Sequence, residues 1–178
     1  MAGKRLKALK ELIKRVPTDK DIDLMYEEIL TEKRDRGAAL VTATFLEESL
    51  RNFVRSRMVS LTTAEYEALF ERDAPLSSFS KLIRVAHGFG LIDAAIRREC
   101  DCIREVRNAF AHSPVALAFD TPEVAAVCML LSRHFDTFEG IDSNHPKARY
   151  IGAATGLAAI LNSARKNKDI ALPVVLPH

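Results

Sequence analysis

The sequence predicts an all-α protein that folds as a single-domain helical bundle of about six to eight helices. Its 178 residues, 48% of them hydrophobic, are enough for one compact core, whereas two separate domains would each be small. The chain has only seven glycines and seven prolines, and it is rich in Ala, Leu, Glu, Lys and Arg, which favour helices over turn-rich β architectures. We therefore expect a helical core domain over residues 17–166, preceded by a helix over 1–16 and followed by an extended tail over 167–178.

The first sixteen residues have the pattern of an amphipathic helix with a basic face. Leu6, Leu9 and Ile13 recur at helical spacing, and Pro17 ends the pattern. The basic residues of this segment are Lys4, Arg5, Lys7, Lys10, Lys14 and Arg15. Two interpretations stay open: contact with nucleic acid or an acidic partner, or a helix docked on the core with its cations in solvent.

Capping signals place the next helices. Thr18 opens a second helix, and a longer one follows over about residues 37–60. The apolar stripe of the longer helix includes Glu47, a carboxylate among hydrophobic neighbours. Thr62 and Glu65 have the spacing of a capping box, in which hydroxyl and carboxylate each bind a free backbone amide. We expect a short helix to begin there.

The middle of the chain carries two further helix starts. Ser77 or Ser78 is placed to cap a helix that ends at Gly88. Asp93 is placed to cap the next helix, which Pro114 ends because proline lacks an amide hydrogen and restricts the residue before it.

The last third of the chain predicts two helices and a tail. Thr121 and Pro122 are a hydroxyl cap and a proline at the first helical position. The apolar stripe expected on this helix is Val124, Val127, Leu131, Phe135 and Phe138. A last helix over about residues 146–166 contains small residues around Gly156, which allow another helix to approach closely. The tail over 171–178 is apolar, and we expect it to be extended.

The helix that Asp93 opens carries the string Arg-Asn-Ala-Phe-Ala-His over residues 107–112. Apolar residues at alternating spacings of four and three lead to Arg107, so the guanidinium is expected to point toward the interior. A buried guanidinium keeps its charge and needs a partner. Glu47 is the natural candidate, and we expect Arg107 and Glu47 to form a polar lock in the core.

Metal and cofactor chemistry have little support in the sequence. Cys100 and Cys102 are two residues apart, which places their sulfurs about 200° around a helix axis, too far apart to bind one metal ion. With Cys128 they make an odd set of three, and no signal peptide precedes them. The apolar runs are too short to span a membrane. We expect a reduced cytoplasmic protein with no metal, no cofactor and no membrane contact.

A resemblance to a known family rests on four strings. They are Phe79-Ser80, Gly90-Leu91-Ile92, the run from Ile103 to Ser113, and Phe119-Asp120, and they look like the central block of the mannitol operon repressor family of bacterial regulators. The likeness covers about residues 76–122 and is weaker over 40–57. It implies a repressor-like transcription regulator without catalytic activity, acting through a protein partner or DNA. Both ends of the chain depart from the family, which leaves the regulated operon open.

The same string is similar to a second family, the HEPN helical domains, several of which are metal-independent ribonucleases. By that likeness Arg107, Asn108 and His112 would carry the chemistry, with Arg107 on the scissile phosphate and His112 as acid or base. Five residues on a helix place Arg107 and His112 about 140° apart, so only a dimer would bring both to one phosphate. We favour the regulator, keep the ribonuclease as the alternative, and expect a homodimer.

Overall fold

The computed structural model describes residues 17–32, 34–71, 73–132, 144–170 and 172–175. These residues form seven helices and no β-strand, which confirms the all-α prediction. In chain order the helices are α1 (Asp19–Thr31), α2 (Asp35–Ser56), α3 (Thr63–Phe70), α4 (Phe79–Gly88), α5 (Ala94–His112), α6 (Pro122–Cys128) and α7 (Pro146–Lys166). The predicted basic helix over 1–16 lies outside the described residues.

Helices α2 and α7 form the centre of the fold. They make the most extensive contact between any two of the described helices, and α7 buries the small residues Gly152, Ala153 and Ala154. Small side chains let helix axes approach closely. Helix α5 packs on both central helices, α4 on α2 and α5, and α6 on α5 and α7, so one hydrophobic core connects them.

Local capping chemistry explains where several helices begin. Thr18 and Thr62 each cap a helix through a reciprocal capping box, and Glu65 is the partner of Thr62, as the sequence predicts. The Asp93 carboxylate accepts a 2.7 Å hydrogen bond from the amide of Ile96, which confirms it as the cap of α5. Each cap satisfies an amide that has no partner within its own helix.

Two predicted caps and one predicted helix length are wrong. Ser78 and Thr121 occupy N-cap positions, but neither side chain accepts a hydrogen bond from its helix. The Thr121 hydroxyl instead accepts one from the amide of Ala118. Helix α6 ends at Cys128, and Leu131 is buried in the turn that follows. Apolar spacing predicted its burial correctly, but a turn can bury a side chain as well as a helix can. The predicted stripe residues Phe135 and Phe138 lie outside the described residues.

Residues 172–175 lie against the turn between α4 and α5. The amide of Asp93 donates to the carbonyl of Val174 (3.1 Å), and the amide of Val174 donates to the carbonyl of Leu91 (3.0 Å). The Val174 side chain is buried. Gly90 makes the turn with a positive φ of 66°, a backbone conformation that glycine adopts without strain. Among the described helices, none is both long and apolar enough to cross a membrane.

Candidate functional site

The string over residues 107–112 lies at the C-terminal end of α5, and Arg107 is only half-buried there. The buried stripe of α5 runs through Ile103, Val106 and Phe110, so Val106 takes the core position predicted for Arg107. With about 3.6 residues per turn, Val106 and Arg107 lie on opposite sides of the line through Ile103 and Phe110, so packing decides which of the two is buried. Burying valine avoids the desolvation cost of a guanidinium. Arg107 Nη1 donates to the Oδ1 of Asn108 at 3.1 Å.

The predicted partner of Arg107, Glu47, is paired with another residue. Its Oε1 lies 3.5 Å from the Nη2 of Arg51, one turn along α2. Within the described residues, Arg107 and Glu47 form no ion pair at 4.0 Å or less. Burial raises the pKa of Glu47, and the charges of Arg51 and, to a smaller extent, Arg107 oppose that rise. The two predicted lock residues are therefore electrostatic neighbours rather than a contacting ion pair.

Arg51, rather than Arg107, is the largely buried arginine that pairs with Glu47. Its side chain is 12% exposed and forms a 3.1 Å ion pair with Glu48. Its Nη1 donates to the carbonyl oxygens of Phe70 (3.4 Å) and Leu76 (3.3 Å), and its guanidinium lies 5.8 Å from the Phe70 ring centroid. Arg51 thereby fastens the chain after α3 to α2. The signal in the sequence is the spacing of Glu47 and Glu48, four and three residues before the arginine.

Glu47 is electrostatically coupled to the start of α4, which begins without a side-chain cap from Ser78. The backbone of Phe79, the first residue of α4, makes a small contribution that lowers the pKa of Glu47, against the larger rise caused by burial. A negative charge near a helix N-terminus is favourable because the first amides are unpaired and the helix dipole is positive there.

His112 is the last residue of α5, and its side chain is exposed. In the described part of the chain it shares no hydrogen bond or ion pair with Arg107 or Asn108. Arg36, from the first turn of α2, contacts the chain just beyond this helix end, where its Nη2 donates to the carbonyl oxygens of Ser113 (3.1 Å) and Val115 (3.4 Å). General acid–base catalysis needs an oriented imidazole, and no described side chain orients His112.

An open groove of about 650 Å³ adjoins this end of α5. Its described lining residues are Arg34, Asp35, Arg36, Pro114, Val115, Ala116 and Leu117. Val115 is 63% exposed. Asp35 is held by the amide of Phe119 (3.0 Å) and the Nζ of Lys147 (3.1 Å), so its charge is already satisfied. The groove therefore offers two arginines beside exposed apolar side chains.

The cysteines and the candidate ligand residues do not form a reactive or metal-binding centre in the described part of the chain. Burial raises the pKa of all three thiols, that of Cys128 to about 12, so they are protonated at neutral pH. No three histidine, cysteine or acidic side chains among the described residues are arranged to hold a metal ion. The six basic residues of the predicted N-terminal face lie outside the described residues.

Comparison with known proteins gives one informative result. No model of a known protein family matches the chain, and neither does any curated protein sequence. A solved structure does match: a chain of the X-ray structure of the MtlR-HPr complex from Escherichia coli, with a TM-score of 0.61 and 18% identity. The chain has an MtlR-like fold. The alignment covers 79% of this chain and 97% of that chain, so the resemblance predicted from the central strings is confirmed at the level of the fold.

Proposed function

We propose that this chain is a regulatory protein that acts by binding another protein. The observation that carries the proposal is the MtlR-like fold, shared over 97% of a chain from a complex with HPr. Fold alone does not determine function, so the argument also needs a surface on this chain that fits a partner.

The groove beside the end of α5 is such a surface. Arginine and exposed apolar side chains are the groups that protein interfaces favour, and the groove presents Arg34, Arg36 and Val115 together. Because Asp35 is already paired, the net charge offered to a partner is positive. A compact protein with an acidic and apolar patch would fit this groove.

The finer parts of the proposal follow from the sequence. The process regulated is transcription, in the manner of a cytoplasmic repressor, and the basic residues over 1–16 would be the route to direct contact with nucleic acid. A homodimer remains part of the proposal. Its surface must lie elsewhere than on Ala153, Ala154 and Ala158, because these small residues of α7 are buried within the chain. No catalytic step is proposed.

Binding to purified HPr, measured by isothermal titration calorimetry, tests the proposal. We expect saturable binding that Val115→Asp weakens at least tenfold, because this exposed side chain lines the groove. Leu24→Asp is the matched control, since Leu24 is an exposed apolar residue on α1, 53% accessible, that does not line the groove. Heat no greater than that with serum albumin, or equal weakening by both substitutions, would contradict the proposal.

A further inference from the structure

A second cavity, of about 500 Å³, lies where the ends of α2 and α7 meet. Its described lining includes Asn52, Arg55, Met58, Leu61, Arg165 and Lys168. It does not share a lining residue with the groove described above. Three of these residues are cations, and no described lining residue is a carboxylate.

In the described part of the chain, no carboxylate forms an ion pair with any of the three cations. Arg55, Arg165 and Lys168 form no ion pair at 4.0 Å or less there. Arg55 lies over the Tyr66 ring, 4.9 Å from its centroid, and the Nε of Arg165 is buried without a hydrogen-bond partner among the described residues. The charge of Arg165 acts on the carboxylate of Asp19, which already binds Lys166. Three positive charges therefore share one cavity.

Arg55 and Arg165 lie in the last turns of α2 and α7, where the helix dipole favours a cation, but the hydrogen bonds to the last carbonyls of α7 come from another arginine, Arg57. Arg57 donates from Nη2 to the carbonyl of Ala164 (2.8 Å) and from Nη1 to the carbonyl of Lys168 (3.1 Å). A cation there offsets the partial negative charge of the last carbonyls. Arg57 also connects the end of α7 to the end of α2, and Arg55, Arg165 and Lys168 line the cavity between these two ends.

We propose that this cavity binds the phosphate group of a small phosphorylated molecule. Guanidinium groups bind phosphate oxygens through paired, charge-assisted hydrogen bonds, and lysine adds a point charge. The Asn52 amide can donate to the same group, and Met58 and Leu61 offer apolar surface to an organic portion. The volume lies within the roughly 300–1,000 Å³ typical of small-molecule sites. The inference does not depend on the proposed protein partner.

Calorimetric titration with inorganic phosphate and with phenyl phosphate, at constant ionic strength, tests this site. We expect saturable binding of phenyl phosphate that Arg165→Gln and Lys168→Gln each weaken roughly tenfold or more, since each removes a charge-assisted contact. Equal affinity for the two probes would mean that the site recognises the phosphate group alone. Tighter binding of phenyl phosphate would mean that the apolar surface of the cavity also contributes. Either result supports the site. Arg98→Gln is the matched control, because Arg98 is exposed on α5 and does not line the cavity.

Thermal melts without ligand verify that each variant is folded, and Lys168→Gln alone decides the test if Arg165→Gln does not fold, because Lys168 is exposed. No saturable heat from either probe would overturn the proposal. Equal weakening by Arg98→Gln would also overturn it, by showing that only overall charge matters. Binding of a single-stranded oligonucleotide without binding of phenyl phosphate would assign the cations to nucleic acid instead.

Discussion

The hydroxyl of Tyr150 donates a 3.0 Å hydrogen bond to the carbonyl oxygen of Ala39, so a single side chain of α7 is bound to the backbone of α2. The same hydroxyl lies 3.4 Å from the carbonyl oxygen of Ile103 on α5. Tyr150 is fully buried, and its burial raises the pKa of the phenol, which therefore stays protonated as a donor. Three helices are thus joined at one polar point within the hydrophobic core.

Tyr150→Phe is expected to lower the free energy of unfolding by about 1–2 kcal/mol, because the core loses its one O–H donor between the carbonyls of Ala39 and Ile103 while the ring still fills its place. Urea denaturation followed by circular dichroism measures the change. Tyr66→Phe is the control, since the hydroxyl of Tyr66 forms no hydrogen bond with described residues and the ring is only partly buried. Equal midpoints for wild type and Tyr150→Phe would refute the connecting role.

Arg51→Ala is expected to cost about 3 kcal/mol of unfolding free energy, because it leaves Glu47 without its contacting cation and frees the chain after α3. Arg107→Ala should cost less than about 1 kcal/mol, since Glu47 then keeps its closer partner. Thermal and urea melts of the two variants give the comparison. A larger loss of stability for Arg107→Ala than for Arg51→Ala would instead support the sequence-based prediction that Arg107 and Glu47 form the core ion pair.

Sequence reasoning succeeds here where the deciding interactions are local. The caps at Thr62 and Asp93 involve residues only three positions apart, so their spacing is enough to predict them. The start of α7 follows in the same way from Pro146 at its first position. For these elements the neighbours along the chain are also the neighbours in space.

Sequence reasoning fails where a distant element supplies the partner. Arg51 of α2 reaches the carbonyl of Leu76, 25 residues further along, and spacing within α2 does not reveal that partner. The choice between Val106 and Arg107 for the core face is also not local, because helical periodicity permits both. Desolvation decides it, and which face is desolvated depends on how α5 packs against the other helices.

The stability of the protein should depend on pH through Glu47. Burial raises its pKa above the usual 4.5, so the folded state binds this proton more tightly than the unfolded state does. The resulting stabilisation is fully present below pH 4.5 and is lost as the pH rises through the folded pKa. Glu47→Gln resembles the protonated form, so its unfolding free energy relative to wild type should increase over that range.

Urea melts at a series of pH values measure this difference. Glu65→Gln is a control of opposite sign, because the amide and hydroxyl of Thr62 lower the pKa of Glu65 and its contribution is lost as the pH falls. If wild type and Glu47→Gln keep a constant difference across the series, the Glu47 carboxyl does not have a raised pKa.

The purified protein is expected not to cleave RNA. His112 is exposed and unoriented, and Arg107 donates to Asn108 rather than facing a shared phosphate site. Incubation of labelled RNA with the protein in a chelator, followed by gel electrophoresis, tests this expectation. Cleavage that His112→Ala reduces by about 10²- to 10⁴-fold, while His145→Ala does not, would instead establish the ribonuclease alternative.

The pairing of α2 with α7 has a consequence for how the protein is made. The end of α2 is synthesised some 90 residues before the start of α7. At roughly 5–20 residues per second, translation takes on the order of ten seconds to cover this interval. Throughout that time the part of α2 that packs against α7 in the finished fold lacks the helix that covers it. A nascent chain stalled before Pro146 would therefore expose an apolar surface of α2, and chaperones that bind such surfaces would be expected to bind it.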